Sequence, residues 1–200
     1  MFFTGDFYGD CNILETYLDQ IEFYAGTERR TGQFKDVKIK KGNGSMLYGL
    51  TWKGYLKKDK LTGENIFRKK DETTGLYLTK CRELYPELND VFKEFGNKHF
   101  PEFSFTQVQL NKNYQCSRHK DGSNIGESIL LTLGDYSGGN TIVECGNDYM
   151  ELNSHYSLVK FNGSKYFHYT LPFTGTRYAL VFFNNNKKFN PVLDQVEESD

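Results

Sequence analysis

A chain of 200 residues with a formal net charge of −1 fits one domain, and at that length folding buries roughly two-thirds of the unfolded surface, so neither metal nor disulfide is needed merely to fold. No apolar run approaches the ~20 residues of a membrane span, and MFFTGDFYGD lacks the basic start and apolar stretch of a signal peptide; the expectation is a soluble, intracellular protein of cytoplasm or nucleus. The four cysteines, Cys11, Cys81, Cys116 and Cys145, stand singly and read as reduced, mostly buried thiols, with a zinc site or disulfide framework as the alternative.

Residues 11–25 place Ile13, Leu14, Leu18 and Ile21 at helical spacing and predict an amphipathic helix. Residues 27–80 change character: Gly and Lys punctuate short β-prone pieces (VKIK, SMLYGLTW, NIFRKK, GLYLTK) that read as strands and hairpin loops. Charge is concentrated there, since residues 28–82 hold 15 Lys/Arg against 6 Asp/Glu and the remainder 10 against 20. That is either a solvated face or a basic surface for a polyanion. Residues 81–97 predict a helix entered near Pro86, with Leu88, Val91, Phe92 and Phe95 on one face.

From residue 103 the period becomes two. FSFTQVQLN, SILLTLG, NTIVE, YSLVKF, KYFHYTLPF and RYALVFF follow one another with Gly- or Asn-containing turns, which indicates an antiparallel sandwich or barrel. The fold class expected is mainly β (α+β). The chain reads as a single domain over residues 1–200, with an N-terminal lobe (1–99), a core barrel (about 100–186) and a frayed acidic tail (191–200). No internal repeat is expected.

The chemistry concentrates in NKNYQCSRHKDGSN, residues 111–124. His119 and Asp121 form H-x-D, and in extended backbone residues i and i+2 point to the same side. His168 follows on a separate β-like segment. Two imidazoles and one carboxylate on one face of a metal leave three positions open, the facial triad whose usual occupant is non-haem Fe(II). Arg177 stands among Tyr178, Leu180, Val181 and Phe182, where a guanidinium is costly unless paired; a carboxylate suits its planar fork. A rim arginine paired with an acidic side chain is the plainer reading. His99 and His155 read as surface or loop histidines.

The order H-x-D, GDYSGGNTIVE, YSLVKFNGSKYFHYTLPFTGTRYALVFF over residues 104–184 resembles the iron(II)/2-oxoglutarate dioxygenase superfamily. The resemblance implies a double-stranded β-helix (jelly-roll) barrel, Fe(II) held by His119, Asp121 and His168, and 2-oxoglutarate anchored by Arg177. It further implies O2 as co-substrate, with ascorbate as a reductant for the iron. Tyr114, on the strand before the H-x-D, becomes a second cosubstrate contact or a packed core tyrosine. Gly138 and Gly139 match the family's Gly-Gly and permit a positive-φ turn. Asn124 completes H-x-D-x-x-N, which looks like the TET and J-binding-protein nucleobase hydroxylases. There it implies a base contact, with Arg118 beside it as another substrate contact; a loop-turning Asn is the alternative. The cysteine-rich region of animal TET enzymes is absent.

A nucleic acid, single- or double-stranded, is the partner implied. Arg29, Arg30, Lys40, Lys41, Lys57, Lys58, Lys69 and Lys70 would contact phosphates, and Tyr48, Trp52 and Tyr55 would stack on bases. A protein prolyl- or lysyl-type hydroxylase and a non-catalytic jelly-roll module are the competing functions.

Overall fold

The computed structural model describes residues 2–23 and 42–185. Arg29, Arg30, Lys40, Lys41 and the acidic tail 191–200 therefore lie outside the described residues. Three helices are described: α1 (Phe7–Asp19), α2 (Lys80–Leu84) and α3 (Leu88–His99). The strands are β1 (Gly44–Thr51), β2 (Tyr55–Lys58), β3 (Asn65–Phe67), β4 (Tyr77–Leu78), β5 (Gln107–Lys112), β6 (Asn124–Leu133) and β7 (Tyr136–Gly138). They continue with β8 (Thr141–Cys145), β9 (Asp148–Leu152), β10 (Val159–Phe161), β11 (Phe167–Thr170), β12 (Phe173–Gly175) and β13 (Tyr178–Asn185). Among the described residues no helix is long and apolar enough to cross a membrane.

α1 begins earlier than its apolar spacing suggests because the Asp6 side chain accepts from the Gly9 N–H and caps it. The single helix expected over 81–97 is two. Pro86 disfavours helical backbone at Tyr85, whose φ of −130° and ψ of 63° end α2, and α3 restarts at Leu88.

A six-stranded antiparallel sheet has the order β10-β6-β13-β5-β1-β4. The other strands form the three-stranded sheet β11-β8-β9 and the pairs β12-β7 and β2-β3, and residues of β8 and β11 line one cavity with residues of the large sheet. The sheets stay open, so of the sandwich or barrel expected from the alternation the open arrangement is the one present. β7, β10 and β12 are three residues each, too short to carry hydrogen-bonded pairing around a corner. From the N-terminal region, β1 pairs along six residues with β5 and lies in the large sheet.

Alternation along the large sheet fixes the architecture. One face presents Met46, Tyr48, Val108, Leu110, Ile129, Leu131, Tyr178, Leu180 and Phe182 to α1 and α3 in a common core with Leu14, Leu18, Phe92 and Phe95. The other face presents Ser45, Leu47, Gln109, Asn111, Leu130, Ala179, Val181 and Phe183 to a cavity. β6 is buried at every residue from Ser128 to Leu133, where both its faces are covered and SILLTL lacks a polar alternation. The same alternation buries Tyr48 to 3 % exposure, so it is a core residue and not the stacking ring expected of it.

His99 is likewise no surface residue. Its Nε2 donates to Asp10 Oδ2 at 2.9 Å, and Asp10, fully buried, also accepts from the N–H groups of Thr4 and Gly5 and from the Thr4 hydroxyl. Burial opposes the Asp10 charge, but these donors together hold its pKa below the ordinary carboxyl value. Glu94 of α3 accepts from the N–H groups of Phe2 and Phe3, so the N-terminal segment is pinned to that helix along one face. Asp10→Ala strands the His99 donor and three others. It should cost about 3 kcal/mol, a fall of roughly 6–12 °C in Tm, measured by thermal unfolding.

Residues 57–78 contain a repeat that the short-strand reading did not detect. Lys57-Lys58-Asp59-x-x-Thr62-Gly63 recurs twelve residues later as Lys69-Lys70-Asp71-x-x-Thr74-Gly75. Both copies close the same turn, with Gly63 and Gly75 at φ +74° and +72° donating to the Asp59 and Asp71 carbonyls. Each Asp side chain accepts from backbone N–H groups inside its own turn. Lys57, Lys58, Lys69 and Lys70 are all exposed, beside an exposed Trp52 and Phe67.

Candidate functional site

The histidines of the H-x-D and the distal position meet as cross-strand neighbours. His119 and His168 form a β-bridge with reciprocal hydrogen bonds, His119 N to His168 O at 3.0 Å and His168 N to His119 O at 2.9 Å. Their rings stand 4.2 Å apart between centroids. Asp121, two residues along, is tied by its N–H to Gly163 O at 2.9 Å. Its Oδ1 lies 3.5 Å from His119 Nε2 and its Oδ2 3.6 Å from His168 Nε2. All three ligand atoms lie within 4.8 Å of one another.

An octahedral ion with bonds near ~2.1 Å sets neighbouring donors about 3 Å apart, so only small side-chain adjustments would bring these atoms onto one ion. Each imidazole is also oriented for that task. His119 Nδ1 lies 2.6 Å from Ser117 O and His168 Nδ1 3.2 Å from Tyr166 O. A carbonyl only accepts, so Nδ1 carries the proton and Nε2 offers its lone pair. Burial pulls the His168 pKa down; Asp121 opposes that shift and His119 adds to it, which leaves the ring neutral at neutral pH. The donor set fits a divalent transition metal.

Arg177 precedes β13 and is 2 % exposed. Its guanidinium lies 5.5 Å from the rings of Tyr136 and Phe173, and its Nε is buried with no hydrogen-bond partner. Among the described residues no carboxylate forms an ion pair with it, and burial lowers its pKa against a smaller opposing effect of Tyr136. The rim arginine paired with an acidic side chain is therefore not what the structure shows. Its stem rests on Gly139, φ +73°, where a Cβ would lie 3.0 Å from Arg177 Cδ and Nε. Gly138, φ +82°, shares that turn.

Arg177 and the His119/Asp121/His168 cluster line one cavity of about 360 Å³. Tyr114 lines it too, but from the loop after β5, which ends at Lys112 rather than running through Tyr114. Asn124 also lines it, and its Nδ2 donates to Asp121 Oδ2 at 3.1 Å. Arg118 is not in the lining. Its side chain alternates to the outer face, where Nε and Nη2 grip Glu144 at 2.8 and 2.6 Å over the Phe167 ring. Cys116 is half-buried in the cavity wall, whereas Cys11 and Cys81 are fully buried, and burial pushes both of those thiols up to about 12. None of the four cysteines is in a disulfide.

Two site residues escaped the sequence reading. Asn111, 5 % exposed, faces the cavity with an unpaired buried Oδ1, and nothing in the pattern of β5 distinguishes it from Gln107 or Gln109. Gly163 reads as a turn glycine in FNGSK, yet a Cβ there would lie 2.5 Å from Asp121 Oδ2 and 3.1 Å from His168 Cε1. Gly163→Ala should displace the carboxylate and weaken divalent-metal binding about 10–100-fold by calorimetric titration, with little change in Tm.

No family model and no curated protein matches the chain. Solved structures do. NgTET1 in complex with 5mC DNA is similar at 14 % identity and a TM-score of 0.48, over 90 % of this chain and 70 % of that one. A Burkholderia pseudomallei oxidoreductase of the 2OG-Fe(II) oxygenase family is similar at 17 % identity and a TM-score of 0.39, over 54 % of this chain and 60 % of that one. A Pseudomonas putida prolyl-4-hydroxylase is similar at 12 % identity and a TM-score of 0.46, over 93 % and 89 %.

Proposed function

We propose that the chain is an iron(II)- and 2-oxoglutarate-dependent dioxygenase that hydroxylates a C–H bond of a nucleic-acid base, of 5-methylpyrimidine or thymine type. One observation carries the oxygenase reading. A two-histidine, one-carboxylate cluster shares its cavity with a buried arginine that has no carboxylate partner among the described residues. The first suits a metal that keeps open positions, the second a diacid. We read the two open sheets as the jelly-roll, or double-stranded β-helix, of such enzymes.

In this reading His119, Asp121 and His168 hold Fe(II), which with O2 and 2-oxoglutarate supplies the oxidising power. The balance is that 2-oxoglutarate loses CO2 and becomes succinate, one oxygen atom entering succinate and the other the substrate C–H; ascorbate keeps the iron reduced. The Ser117 and Tyr166 carbonyls fix the imidazole tautomers. Arg177 anchors the distal carboxylate of 2-oxoglutarate, with Tyr114 as a further contact. Leu130, Phe161, Val181 and Phe183 make the apolar wall that excludes water.

The nucleobase reading rests on the duplicated hairpin, whose four exposed lysines suit phosphates, and on the exposed rings of Trp52 and Phe67, which suit base stacking. A base inside a duplex must be flipped out to reach the cavity, so single-stranded substrate is expected to react faster. The test is incubation of the iron-loaded protein with methylated oligonucleotides and, separately, with peptide pools. A mass gain of one oxygen atom on the oligonucleotide supports the proposal. The same gain on peptides alone assigns the protein-hydroxylase reading, and release of no succinate in either case assigns a binding module.

A further inference from the structure

We propose that Asn124 is a positioning residue of the metal centre, its side-chain amide holding the Asp121 carboxylate at the angle at which it can share one ion with the two imidazoles. The proposal rests on the metal-centre reading above and assigns Asn124 a task other than contact with substrate.

The amide is engaged within the chain. Asn124 Nδ2 lies 3.1 Å from Asp121 Oδ2 and 3.4 Å from the hydroxyl oxygen of Ser128, itself fully buried. The Asn124 backbone is fixed as well. Its N–H donates to Asp121 O at 3.1 Å, closing a turn over Gly122 and Ser123, and it pairs with Asn185 at the start of β6. Gly163 also comes so close that a Cβ would lie 2.5 Å from the same Oδ2, and its carbonyl accepts the Asp121 N–H. The carboxylate is thus boxed between an amide and a glycine backbone.

A carboxylate side chain has two torsions to fix, and ordering them on metal binding subtracts from affinity. A charge-assisted N–H···O bond to Oδ2 restricts that rotation and sets the carboxylate plane against the imidazoles. Ligand-orienting bonds of this kind typically contribute 10–100-fold to metal affinity. A residue that only contacts substrate contributes nothing to metal affinity when substrate is absent, and this separates the two roles.

The test measures Mn2+ affinity of the apo-protein by calorimetry with neither 2-oxoglutarate nor nucleic acid present. Wild type, Asn124→Ala and the smaller, still hydrogen-bonding Asn124→Ser are compared, each checked for an unchanged apo thermal transition. The expected result is a 10–100-fold weaker Kd for Asn124→Ala, with Asn124→Ser between it and wild type because the hydroxyl still donates from a shorter stem. A wild-type Kd in either variant that folds overturns the positioning role and leaves the metal reading standing. Failure of wild type itself to bind Mn2+ overturns both.

Discussion

His119→Ala and Asp121→Ala are expected to abolish 2-oxoglutarate-dependent succinate release while leaving the fold intact. Both side chains are only half-buried, and both belong to a short segment outside the two cores, so little packing is lost on truncation. The loss is chemical. Three donors on one face are the minimum that holds a metal and keeps positions open, and the remaining pair would bind weakly and without fixed geometry. Since loss of an outer hydrogen-bond partner costs 10–100-fold in affinity, loss of a ligand should cost more than that. Asp121→Asn is the sharper variant, because it keeps the shape and the turn to Asn124 but removes the negative charge. Metal titration and succinate release should fall together. Retained succinate release in all three variants would remove these residues from the chemistry.

Arg177→Met should raise KM for 2-oxoglutarate by roughly 30- to 4,000-fold, the equivalent of about 2–5 kcal/mol for a buried charged contact. Methionine fills similar space between Tyr136, Phe173 and Gly139. It also relieves a buried cation whose Nε lacks a partner, so Tm should hold or rise while cosubstrate binding collapses. Opposite movement of stability and affinity marks a group kept for binding. Arg177→Lys should recover only part of the loss, because an ammonium is a point donor on a flexible stem whereas the guanidinium presents a planar fork. A uniform drop in Tm with unchanged KM would instead show a structural arginine.

The cluster was legible because its logic is local in backbone terms. The i, i+2 spacing of His119 and Asp121 needs only extended chain, and one cross-strand bridge brings His168 opposite. Arg177 was legible as a charge placed where burial makes charge expensive. The helix in 88–99 followed from Leu88, Val91, Phe92 and Phe95 sharing one face, but its separation from α2 turned on a single proline.

What escaped depends on distance across the fold rather than on pattern. Gly163 matters for what a Cβ would strike, Asn111 for what fails to pair with it, and His99 for a buried carboxylate 89 positions earlier in the chain. β9 (DYMEL) is exposed along nearly its whole length and carries no apolar alternation to betray it, since it is held by its ladder to β8. Tyr48 lies in the core face of β1 rather than at a lysine-rich surface, and Arg118, next to the His119 bridge, turns out to Glu144 instead of into the cavity.

The measurement that bears most directly on the account is anaerobic calorimetric titration of the full chain with Fe(II), then with 2-oxoglutarate, in wild type and in the His119→Ala/Asp121→Ala/His168→Ala triple variant. One ion per wild-type chain is expected, with 2-oxoglutarate binding that requires both that ion and Arg177, and neither event in the triple variant. Stoichiometric Fe(II) binding that survives in the triple variant, or 2-oxoglutarate binding indifferent to the metal and to Arg177→Met, would contradict it.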